Sequence, residues 1–104
     1  MGLSAGMFSH VVVFWTRPGA PRATEELLAG LERLKNIPGI THFHVGRMAP
    51  SDRPVVERSY QVALYVGFPD RAAHDAYQTH PLHREFLEEV FPRVCARVVV
   101  YDFE

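Results

Sequence analysis

The sequence predicts an α+β subunit of the ferredoxin-like, split βαβ type: one four-stranded antiparallel sheet with its helices on one face. Three observations predict it. Hydrophobic periodicity changes along the chain in the order strand, helix, strand, strand, helix, strand. The first helix has a single apolar stripe, so it has one face to bury. The strands carry apolar residues on both faces, so the sheet needs cover on both sides. A length of 104 residues suits one domain. Residues 1–6 are expected to form a flexible N-terminus and residues 7–104 the domain.

Each element follows from local signals. Residues 10–17, HVVVFWTR, are β-branched and aromatic and end at the turn residues PGAP. Val11, Val13 and Trp15 should face one way, and His10, Val12, Phe14 and Thr16 the other. Residues 24–39 should form an amphipathic helix, because Leu27, Leu28, Leu31 and Leu34 recur at helical spacing and Ile37 extends the stripe. Thr24 is the expected N-cap, with Glu25 and Glu26 favourable in the first turn. Gly30 is a weak point in that pattern, and NIPG stops it. Residues 39–48 are a second strand. Residues 49–58 carry two prolines and read as a loop, and residues 60–68, YQVALYVGF, are a third strand. Pro69 and Asp70 should start a helix that Pro81 interrupts, since its ring clashes with the carbonyl of Tyr77. A new helix should begin at Pro81, with Leu82, Phe86, Leu87 and Val90 on its buried side. CARVVVYDF, 95–103, is the fourth strand.

Composition narrows the function classes. Hydrophobic residues make up 47% and charged residues 22%, ordinary for a folded soluble domain. The formal net charge is −1 with no basic block, which argues against nucleic acid as a partner. No apolar run approaches the ~20 residues of a membrane span, and the opening MGLSAGMFSH has no secretory pattern, so no membrane association is expected. The single cysteine, Cys95, cannot form an intrachain disulfide. That suits a reducing, cytoplasmic setting and a small packing residue.

AYQTHPLHREF, residues 76–86, gathers a tyrosine, two histidines and a proline. Such a cluster can carry proton-transfer chemistry. It can equally be a helix junction whose imidazoles bond orphan backbone groups and whose tyrosine packs helix to sheet. FSHVVVFWTRPG at the first strand, HDAYQTHPLHREF at the second helix and RVVVYDF at the end together resemble the stress-responsive dimeric α/β-barrel domain family, over nearly the whole chain from Met7. The resemblance implies that two ferredoxin-like subunits join their sheets into a dimeric α/β barrel, so the expected partner is a second copy. The apolar residues on the helix-free face independently favour that homodimer.

The resemblance implies no single reaction. A few members are polyketide cyclases, and in the plant-type cyclase a tyrosine and the second histidine of the HPxH stretch form the proposed catalytic pair. Those positions match Tyr77 and His83, and the first-strand histidine matches His10. On that reading His83 is the general base, Tyr77 holds the enolate oxygen and His10 has a supporting role. His10 can also be simply a buried histidine satisfied by backbone groups.

His42 and His44 alternate onto one strand face and could offer two imidazoles to a metal, with His74 a spare ligand. They do not complete a site, and no metal or cofactor is expected. Three functional readings follow. The first is a barrel-domain protein of undetermined reaction that binds a small apolar or aromatic molecule. The second is a cofactor-independent polyketide cyclase or lyase using His83 and Tyr77. The third is a non-catalytic dimeric stress or interaction protein.

Overall fold

Strand β1 (Phe8–Thr16) runs through the middle of a four-stranded sheet with β2 (His42–Arg47), β3 (Val62–Phe68) and β4 (Cys95–Phe103). The spatial order is β2-β3-β1-β4, and all three pairings are antiparallel. This computed structural model describes residues 7–104, so the expected flexible segment 1–6 lies outside the described residues. The ferredoxin-like architecture is as the element order predicted. β1 starts two residues earlier than expected because Phe8 and Ser9 pair with Phe68 and Gly67. Residues 39–41, 48 and 60–61 fall outside the strands.

The helices cover one face only. His10, Val12 and Phe14 of β1 and Val62, Leu64, Val66 and Phe68 of β3 are buried beneath them, as alternation required. Helix α1 (Ala23–Glu32) continues as a 3₁₀ turn (Arg33–Asn36), and its stripe Leu27, Leu31 and Leu34 is fully buried. Thr24 is not the cap. The helix begins at Ala23, whose side chain is buried, and the N-cap position belongs to Arg22 in the left-handed region with φ 67° and no side-chain cap bond. Burial of Ala23 in the core outweighs the roughly 1 kcal/mol that a hydroxyl cap contributes.

Gly30 is more than a weak point. A Cβ there would stand 2.9 Å from Cγ1 of Val90, so glycine permits α1 to approach the second helical layer. That layer consists of α2 (Arg71–Thr79), α3 (Pro81–Glu85), a π turn (Phe86–Val90) and α4 (Phe91–Val94). The single helix expected after Pro81 is therefore divided. The π turn inserts an extra residue, and Leu87, expected to be buried, is 45% exposed. Cys95 is the predicted small packing residue: it is buried at the start of β4, and burial pushes its thiol up to about 11. No helix among the described residues is long and apolar enough to cross a membrane.

Candidate functional site

Asp70 opens α2, its Oδ1 accepting the backbone N–H of Ala73 at 2.9 Å. The helix then presents His74 and Tyr77, one turn apart, to the core. At Pro81 the backbone breaks as predicted: His80 is extended, with φ −65° and ψ 143°. His80 is also the residue that caps the next helix, its Nδ1 accepting the N–H of Leu82 at 3.0 Å. The backbone N–H groups of His83 and Arg84 both donate to the His80 carbonyl.

His83 therefore has no junction to satisfy. It is buried on α3, its ring meets that of Tyr77 edge to face with centroids 4.9 Å apart, and its Nδ1 has no hydrogen-bond partner among the described residues. Buried ring nitrogens are usually paired, so an unpaired one requires an explanation.

The cavity occupies about 250 Å³ between sheet and helices. His10, Tyr77, Gln78, His83 and Asp102 supply its polar lining. The register of β1 against β4 orders the rest. His10 lies opposite Asp102, Val12 opposite Val100 and Phe14 opposite Val98, so the wall passes from polar to apolar along the strands. Leu31, Leu34, Phe86 and Phe91 close the apolar part, and exposed Leu87, Val98 and Val100 stand at its rim. An apolar body with one polar head matches this gradient.

His10 faces the helices and is buried, with its Nδ1 2.6 Å from Oδ1 of Asp102. Its partner is thus a carboxylate across the sheet, where a backbone group was expected. Its ring stands edge-on to Tyr77 at 5.9 Å, and no hydrogen bond joins it to His83 among the described residues. Asp102 was not singled out in the sequence, because only the β1–β4 register brings it opposite His10. His42 and His44 remain on the exposed side of β2, whereas His74 is buried beside His10.

The electrostatics follow from this packing. Burial lowers the pKa of His83, and the neighbouring His10 and His74 lower it further. Burial also lowers His10, against the raising effect of Asp102. Burial raises the Tyr77 phenol, so it remains a proton donor. A neutral imidazole beside a neutral phenol can accept a proton from a bound carbon acid while the hydroxyl donates to the resulting oxyanion.

Fold and site together define a ferredoxin-like α+β subunit with a polar-headed pocket under its helices. The family model described as the stress responsive A/B barrel domain matches residues 8–104, and the chain belongs to that family. Among solved structures, a ferredoxin-like member of the same family from Mesorhizobium loti is 26% identical, with a TM-score of 0.75 over 95% of this chain and 96% of that one. A dimeric ferredoxin-like protein of unknown function from Jannaschia sp. is 25% identical, with a TM-score of 0.77 over 95% and 99%. A hydroxynitrile lyase from Passiflora edulis shares the fold at 22% identity, with a TM-score of 0.73 over 94% and 92%. A search of curated proteins gives no significant match.

Proposed function

We propose that the chain, as a homodimer, binds a small molecule with an apolar or aromatic body and an enolisable carbonyl head, and that His83 acts on it as a general base. The place of His83 in the cavity lining, with a ring that makes no side-chain hydrogen bond among the described residues, carries this reading, because His80 already serves the helix junction. In the proposed step His83 removes a proton from a carbon activated by two carbonyls. Tyr77 donates a hydrogen bond to the enolate oxygen, and the carbanion then attacks an electrophilic carbonyl of the same molecule, as in a polyketide cyclisation. The proton returns from His83 to the new alkoxide, so the sequence needs no redox partner. Lyase chemistry on the same scaffold would use the same base to break a carbon–carbon bond.

The carbon acid can be tested without its natural identity. Exchange of the central protons of a 1-aryl-1,3-diketone for deuterium should run faster with the protein than in buffer. His83→Gln and Tyr77→Phe should each reduce that acceleration about tenfold or more, within the range general-base and oxyanion groups contribute. Equal exchange rates for wild type and His83→Gln would refute the assignment.

A further inference from the structure

We propose that His10, His74 and Asp102 form a binding site for a first-row divalent cation, with zinc the best fit. One nitrogen from each imidazole and a carboxylate oxygen lie within 4.8 Å of one another. The residues come from β1, α2 and β4, so only the folded chain assembles them. Asp102 is shared between the rings. Its Oδ1 is 2.6 Å from Nδ1 of His10, and its Oδ2 is 3.9 Å from Nε2 of His74. Two imidazoles and one carboxylate are a donor set suited to zinc and its neighbours and poorly suited to magnesium or calcium.

The surroundings of His74 favour ligation. Its Nδ1 lies 3.0 Å from Oδ1 of Asp75, which accepts the ring N–H. Gln78 offers its amide N–H to Nε2 at 3.1 Å. Both neighbours require the tautomer in which Nε2 keeps its lone pair. A carboxylate holding the far nitrogen of a histidine is the outer arrangement that metal-ligating imidazoles commonly have. The ring is also held in plane, stacked on Phe8 with centroids 4.2 Å apart.

Ligand atoms about 2.0–2.1 Å from a tetrahedral zinc stand roughly 3.4 Å apart. The 3.9 Å between Oδ2 of Asp102 and Nε2 of His74 must therefore close by about half an ångström. Asp102 can supply much of this, since its side chain is 38% exposed at the end of an edge strand. Binding would replace the direct His10–Asp102 hydrogen bond and displace the Gln78 amide. His10 and Asp102 both line the cavity, so the fourth coordination position would face the space beside Tyr77 and His83. Three protein ligands with one open position are the pattern of a reactive zinc centre.

Ion binding at the site does not depend on the base assigned to His83, and its test reads ion binding alone. Chelator-stripped, tag-free protein would be titrated with Zn²⁺ by calorimetry and with Co²⁺ by visible absorption. The expected result is one ion per chain. Asp102→Asn and His74→Phe should each weaken binding at least tenfold, and the double variant His42→Ala/His44→Ala should bind as wild type does. His74→Phe is in the core, so Asp102→Asn, at a half-exposed side chain, keeps the test decisive if the first variant does not fold. Wild-type binding weaker than about 1 mM, binding unchanged by Asp102→Asn, or binding lost in the His42/His44 variant would each overturn the proposal.

Discussion

Replacing His83 by leucine should change the stability of the fold little or raise it, while removing proton transfer. The magnitude follows from two local contributions. An unpaired buried polar atom costs about 1–3 kcal/mol, and Nδ1 of His83 is such an atom. The edge-to-face contact with Tyr77, lost on substitution, is worth about 0.5–1.5 kcal/mol beyond its area. The net effect therefore lies between a loss of about 0.5 and a gain of about 2.5 kcal/mol. For a domain of this size the upper end is an increase in Tm of up to about 10 °C. The assay is urea unfolding followed by circular dichroism at about pH 8, where both histidine states are neutral. Chain concentration must be equal for both proteins, because a dimer's apparent stability depends on it. A loss of more than about 1 kcal/mol would show that His83 holds the helices together through bonds of its own. His83 would then be a structural residue and not a base retained at the expense of stability.

Two further outcomes are expected. His83 and His10 both have folded pKa values below 6.5, so the unfolded chain binds more protons as pH falls through that value. Stability should be fully present above about pH 6.5 and decline as pH falls toward the folded values; urea midpoints at about pH 7.5 and 5.5 should show the decline, reduced in His83→Leu, and a midpoint that holds or rises on acidification would contradict it. The helix-free face carries Val11, Val13, Trp15, Val99 and Tyr101 around one shallow concavity. Light scattering at micromolar concentration should therefore give a dimer mass that Val99→Glu lowers to a monomer's, and a monomeric wild type would end the proposal that two sheets pair.

How much of this was legible depended on how local each cause is. The strands were legible because alternation is written in neighbouring residues, and the break at Pro81 because a ring and one carbonyl decide it. The start of α1 was misread: a favourable Thr24 cap competed with burial of Ala23, and burial depends on the whole core. Leu87 was misplaced because the π turn changes the phase of the stripe, and nothing in FLEEV announces it. The pairing of His10 with Asp102 joins residues 92 positions apart. Its register also passes a shift between Trp15 and Thr16, so no local pattern could have set it. In sequence His74 is a spare imidazole next to the HFH pattern, with no local signal for the residues it meets. Only the packing of α2 on β1 puts it beside His10.

The proline explains why the candidate pair exists. Tyr77 and His83 are six residues apart, and in an unbroken helix they would point about 120° apart around the axis. They could not both face one pocket without bending the chain between them. Pro81 supplies the bend, and His80 satisfies the backbone that the bend exposes. The capping duty that sequence logic could assign to either histidine thus falls wholly on the first. The second is left buried against Tyr77 with a nitrogen free of local obligations. A substitution that restored helical continuity at position 81 should therefore disturb the site more than the fold, because it would separate two rings that only the break holds together.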